Sequence, residues 1–202
     1  MSDKALVDLG FTRTKLPAGT HICQIYSDES ERADLLLRFL TSGLQADECT
    51  ACFSEKVSRS DLENSCGMRG VSISAAEERG AFSIRGSSES YFKGGRFDLE
   101  AVLGLLVSFH RDSVARGFPN ARVIGEMTSE ITRVPGGSRL LEYESKVSVL
   151  LRTHPVTTVC QYDAHAFDGA TIMDVLKVHP MMVVRGAIVH NPFFVPPEEF
   201  LA

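Results

Sequence analysis

Four short stretches of this 202-residue chain place acids or phenols where an apolar, strand-like run ends: Tyr26-Ser27-Asp28, Ser54-Glu55, Glu126-Met127-Thr128 and Tyr162-Asp163. Groups of these types, brought to one place, can hold a small polar molecule by hydrogen bonds. Two carboxylates in one cleft can also split their pKa values and divide acid and base roles, and Glu126 and Asp163 are the pair for that chemistry. Glu126 is the sharpest single candidate, because a carboxylate directly after a buried strand is costly unless it is paired or hydrated. Each residue has a plainer explanation as well: Asp28 as a helix cap, Tyr26 as core with its hydroxyl at the rim, Glu55 as surface.

Other chemistries lack their parts. A phosphate-binding loop needs glycines that let backbone amides surround phosphate, and a lysine to offset its charge. Behind the first strand this chain has Ser27-Asp-Glu-Ser-Glu-Arg-Ala33, with no glycine, no lysine and three carboxylates that repel a triphosphate. No G-x-S-x-G elbow exists to carry a serine nucleophile. The histidines are dispersed; His154-Pro155 and His179-Pro180 each close a helix, where an imidazole favourably meets the C-terminal carbonyls. The five cysteines (Cys23, Cys49, Cys52, Cys66, Cys160) are read as buried thiols ahead of a metal or redox-sensing role, which stands as the lesser alternative; no metal ligand and no cofactor is assigned. Cys49 and Cys52 have a C-x-x-C gap, but on a strand they point to opposite faces.

The elements that must position these residues follow from periodicity. Strands are expected at 21–26, 49–53, 81–84, 121–125, 156–162, 181–184 and 187–189, the last two joined by an Arg185-Gly186 turn. Helices are expected after Asp28, after a Ser60-x-x-Glu63 capping box, after Asp98 with an apolar stripe running from Leu99 to Val114, and over 137–152 and 170–177. A glycine-rich turn spans 91–97, and the proline-rich tail from Asn191 is extended. Strands alternating with helices predict an α/β fold of three layers, a mostly parallel central sheet flanked by helices. In such sheets ligands bind beyond the carboxyl ends of the strands. That rule selects Tyr26, Ser27, Asp28, Glu126, Met127, Tyr162 and Asp163 as the ligand-binding set.

The formal net charge of −5 and the absence of a Lys/Arg cluster argue against direct nucleic-acid binding. No apolar run reaches the length of a membrane span and no secretory leader is evident, so a cytoplasmic, membrane-free protein is expected. The domain organisation is read as an N-terminal extension over 1–18 and one domain over 19–202.

Taken in order, His21-Ile-Cys-Gln-Ile-Tyr26, Gly94-Gly-Arg-Phe-Asp98, Gly125-Glu-Met127, Leu141-Glu-Tyr-Glu144, Cys160-Gln-Tyr-Asp163, His179-Pro180 and Asn191-Pro192 resemble the MEDS domain, the sensory module of methanogens, methylotrophs and DcmR-type regulators. The resemblance runs from about Gly19 to Pro197. It implies a fold related to RecA/KaiC-type ATPases with the nucleotide loop lost, and puts Glu126 near the position of a strand-end acid in those ATPases. It implies a non-catalytic sensor of a small organic, hydrocarbon-derived ligand that signals to a separate histidine kinase or transcription regulator. Two further readings stand beside it: a ligand-free interaction scaffold, with an exposed apolar patch at Met181-Met182 or Phe193-Phe194, and a residual nucleotide-binding enzyme. A homodimer is the expected assembly.

Overall fold

The most β-branched stretch of the chain lies at the centre of the fold. The computed structural model describes residues 5–202. It contains β1 (Leu6–Val7), β2 (Leu16–Pro17), β3 (His21–Tyr26), α1 (Glu29–Gln45), β4 (Cys49–Phe53), α2 (Arg59–Gly67), α3 (Ile73–Glu78), β5 (Phe82–Arg85), α4 (Ser87–Tyr91), α5 (Leu99–Ala115), β6 (Ala121–Met127), α6 (Leu140–Leu150), β7 (Val156–Asp163), α7 (Gly169–Val178), β8 (Met181–Val184), β9 (Ala187–His190) and α8 (Pro197–Phe200). Seven strands form one sheet in the order β5-β4-β6-β7-β3-β8-β9, with β7 in the middle. All pairings are parallel except β8 with β9, a hairpin turned at Arg185 and Gly186, both in the left-handed region.

Helices cover both faces, giving the expected three layers. The ribbon β1–β2 with α1, α2 and α3 packs on one face around Leu9, Ile22, Phe39, Cys52, Ile124 and Val159. On the other face α4, α5, α6 and α7 pack around Cys23, Phe53, Val123, Tyr143, Cys160 and Tyr162. Strand alternation thus separates Cys49 from Cys52, as their spacing requires, and all five cysteines are buried. Among the described residues no helix is long and apolar enough to cross a membrane.

Several boundaries differ from the sequence expectation for local reasons. The helix expected from 137 begins at Leu140, after a 3-10 turn over Gly137–Arg139. Gly137 presses on the Ile131 carbonyl so closely that a Cβ would lie 1.6 Å from its oxygen. The capping box of α2 is formed by Ser58 and Asp61. Glu63 instead accepts the Ile73 and Ser74 amides and secures α3, which periodicity does not announce. Helical phase turns Ser113 inward in α5, and Val114 is exposed. The Met181-Met182 pair is packed into the sheet, whereas Phe193 is exposed.

Over its described residues the segment read as an extension is tied down. Val7 and Leu9 are buried, and the Asp8 carbonyl accepts from Ser42 Oγ at 2.7 Å and from Arg122 Nη2 at 3.0 Å. Arg122 is fully buried in β6, ion-paired with Glu48 and bonded to the Phe39 carbonyl. One paired guanidinium therefore joins β6, α1 and the N-terminal ribbon.

Candidate functional site

At the carboxyl ends of β4, β6 and β7 the chain leaves a cavity of about 360 Å3, lined by Glu55, Lys56, Glu126, Thr128, Glu130 and Asp163 among others. Glu126 is brought there by β6, after Gly125. A Cβ at Gly125 would lie 2.2 Å from the Tyr91 hydroxyl, so only glycine lets α4 close over this strand end. Although buried, Glu126 is not isolated: Ser54 Oγ donates to Oε2 at 2.8 Å and Lys56 Nζ lies 3.1 Å from Oε1.

Lys56 organises the site. Its ammonium donates to Tyr26 Oη at 2.8 Å and also faces Glu29 at 3.5 Å and Asp163 at 3.6 Å. Burial works against its charge, but the Tyr26 hydroxyl and Glu126 more than offset this and raise its pKa. Burial likewise raises the Tyr26 phenol despite Lys56, so the hydroxyl keeps its proton. Four carboxylates (Glu55, Glu126, Glu130 and Asp163) and one lysine line the cavity, which makes it hostile to phosphate. Arg32 does not change that balance: it is buried, with Nε donating to Glu29 at 2.6 Å and Nη1 to Gln161 at 3.3 Å. Thr128 is among the lining residues, and its Oγ1 is buried without a hydrogen-bond partner among the described residues.

The seven predicted residues are therefore divided. Glu126, Met127 and Asp163 line the cavity, and Tyr26 adjoins it through Lys56. Ser27 is exposed, and Asp28 spends its carboxylate on capping α1, accepting from the Ser30 and Glu31 amides. Tyr162 is elsewhere. β7 is pleated, so Gln161 faces the α1 side and Tyr162 the α6 side, where its hydroxyl donates to Glu144. Lys56 was not among the expected residues. Its signal is its place, three residues after β4, at a strand end the same rule had already marked.

Tyr162 leads to a second constellation, one that no sequence spacing assembles. His21 from β3, Glu144 from α6, Cys160 from β7 and His179 at the end of α7 converge so that one ligand atom of each lies within 4.8 Å of all the others, every residue buried. The two imidazoles are oriented from outside. His179 Nδ1 lies 2.8 Å from the Val175 carbonyl, which can only accept, so the proton is on Nδ1 and Nε2 presents a lone pair. His21 Nδ1 lies 2.9 Å from Ser148 Oγ, and its Nε2 faces Glu144 Oε2 at 3.2 Å. Burial lowers the pKa of His21 to about 3; burial and then the neighbouring His21 lower that of His179 to about 4. Burial raises the Glu144 carboxyl, and burial with Glu144 raises the Cys160 thiol well above its usual range.

Comparison with known proteins agrees with this architecture. Residues 20–180 match the family described as MEDS: MEthanogen/methylotroph, DcmR Sensory domain. Among curated proteins none matches the chain in sequence. The flagellar accessory protein FlaH of Methanocaldococcus jannaschii superposes with a TM-score of 0.63 at 12% identity, over 92% of this chain and 84% of that one. A KaiC-like protein of the archaeon Pyrococcus horikoshii OT3 gives a TM-score of 0.62 at 15% identity, over 89% of this chain and 79% of that one. At such identities the likeness is one of fold, and the fold is RecA/KaiC-like.

Proposed function

Because the chain belongs to the MEDS family of sensory domains, we propose that it binds a small organic molecule in the strand-end cavity, without turnover, and passes the signal to a separate regulator or kinase. The observation that carries this reading is the chemistry behind β3, β4 and β6: a lysine held among Glu29, Glu126, Asp163 and Tyr26 where a nucleotide-binding protein of this layout needs a glycine-rich, cationic loop. A cavity with an acidic excess suits a neutral or cationic molecule that donates hydrogen bonds.

A thermal-shift screen of small amines, alcohols and amides against the full chain tests this. At least one compound class is expected to raise the melting temperature of the wild type, with the effect lost in Glu126→Ala and Lys56→Met. Isothermal titration with magnesium-ATP is expected to give no heat. Saturable ATP binding would replace this reading with the residual nucleotide enzyme. A second reading, the ligand-free scaffold, is favoured by exposed Val184 and Val189 on the terminal hairpin and by exposed Phe193. It predicts a screen without hits and a partner captured at that edge.

A further inference from the structure

The strand-end cavity leaves unexplained why His21, Glu144, Cys160 and His179 meet in the interior. Buried polar groups are expected to find partners, yet His179 Nε2 has no hydrogen bond among the described residues. Its nearest acidic atom, Glu144 Oε2, is 3.6 Å away, beyond a hydrogen bond. An unpartnered imidazole lone pair, aimed at a carboxylate and a thiol, is the arrangement of a ligand rather than of packing.

We propose that His21 Nε2, Glu144 Oε2, Cys160 Sγ and His179 Nε2 bind one zinc-class divalent cation in a closed, tetrahedral, four-ligand site. Bond lengths of about 2.0–2.3 Å at a tetrahedral zinc centre put neighbouring ligand atoms roughly 3.3–3.8 Å apart. Here His21 to Glu144 is 3.2 Å, Cys160 to His21 3.5 Å, Cys160 to Glu144 3.6 Å and His179 to Glu144 3.6 Å. The His179 nitrogen lies within 4.8 Å of the His21 nitrogen and of the Cys160 sulfur, so it moves in by at most about 1 Å to enclose an ion. The donor set of two imidazoles, one thiolate and one carboxylate suits a borderline-soft metal, and its two negative charges balance a divalent cation. On binding, the Cys160 proton and any Glu144 proton leave to solvent, since a coordinating thiol is deprotonated outright.

The surroundings are those of a built site. Each imidazole has an outer hydrogen-bond partner on Nδ1, the Val175 carbonyl for His179 and the Ser148 hydroxyl for His21, and such partners are how ligating histidines are fixed in angle. Tyr162 donates to the other oxygen of Glu144 and steadies the carboxylate. His21 and Ser148 also line a cleft of about 420 Å3 beside Pro180 and Met181. The four ligands come from β3, α6, β7 and the end of α7, so a bound ion would clamp two helices to the sheet on the face opposite Glu126. This inference does not depend on the strand-end cavity holding a ligand.

The test uses the full chain, stripped with a chelator and titrated with cobalt(II) as the probe. One equivalent is expected to bind, with the intense visible d–d bands of tetrahedral cobalt and a thiolate-to-cobalt charge-transfer band, both abolished by added zinc. Cys160→Ser, near-isosteric, is expected to lose the charge-transfer band while its circular dichroism stays native. Cys49→Ser, a buried thiol outside the cluster, is expected to keep it. Ser148→Ala, which touches only the outer hydrogen bond, should weaken binding about 10–100-fold and keeps the test decisive if the cysteine variant does not fold. Folded wild type that takes up no cobalt, or a charge-transfer band that survives in Cys160→Ser, would overturn the proposal.

Discussion

The two faces of this sheet handle buried acids in opposite ways. On the α1 side, Glu126 is answered by a lysine whose side chain is 39% exposed and which is shared with Glu29, Asp163 and Tyr26. On the α6 side, Glu144 is fully buried, with no lysine or arginine among the described residues paired to it, among two neutral imidazoles, a thiol and a phenol. The first arrangement rests on one flexible cation that can rearrange around a guest at modest cost. The second is held by short contacts from four rigid elements, and changing it disturbs the packing of α6 and α7. The two arrangements lie one residue apart along β7, because the pleat sends Gln161 and Tyr162 to opposite faces.

If that contrast is right, the largest effect belongs to Glu144. Glu144→Ala removes the acceptor of the Tyr162 hydroxyl and of the Cys160 thiol and opens a cavity, so a loss of about 3 kcal/mol or more is expected in urea denaturation of chelator-treated protein. A loss below about 1 kcal/mol would mean the buried cluster is loose, and would erase the distinction.

Tyr162→Phe separates the regions more finely. Deleting one buried hydroxyl that donates to a carboxylate should cost about 1–2 kcal/mol, yet leave the affinity of any compound that binds the strand-end cavity unchanged. Altered affinity without altered stability would join the two regions into one site.

Glu126→Gln should show the reverse pattern. The amide still accepts from Ser54, and Lys56 keeps Asp163, Glu29 and Tyr26, so stability is expected to change by less than about 1 kcal/mol. Affinity for a cationic compound found in the thermal-shift screen should fall about tenfold, equivalent to about 1.4 kcal/mol. A stability loss as large as that of Glu144→Ala would assign Glu126 to structure rather than binding.

Much of this was readable from residue types alone, and what was not has definite causes. The β-branched 156–159 run, the stripe from Leu99 and the caps at Asp28 and Asp98 fixed the layers, because period and capping are local properties. The acid at Glu126 was legible because it ends an apolar strand. Lys56 was not, since a long side chain reaches back to a site from a loop position that has no period. The Tyr162 assignment treated a strand end as a point, whereas side chains there alternate between faces. His21, Glu144, Cys160 and His179 each stood in a visible short motif. Their meeting depends on β7 pairing with β3 and on α6 and α7 sharing a face, long-range facts that no spacing encodes.

The smallest effect distinguishes a cap from a ligand. Asp28 shares a strand end with Tyr26, but its exposed carboxylate is committed to α1: the Ser30 hydroxyl, then the Ser30 and Glu31 amides, hold its pKa below the ordinary value. The unfolded chain therefore protonates first as pH falls. The stability this cap supplies is complete above the unfolded carboxyl range, near pH 3.9, and is lost as pH drops through the lower folded value. Asp28→Ala should lower the melting temperature slightly at neutral pH and flatten its acid limb. Asp28→Asn should keep the cap, since asparagine accepts the same amide bonds, while removing the acid dependence. Both variants are expected to bind strand-end compounds as the wild type does. Weakened binding in Asp28→Asn, with the helix cap intact, would return Asp28 to the site and extend that site across the first turn of α1.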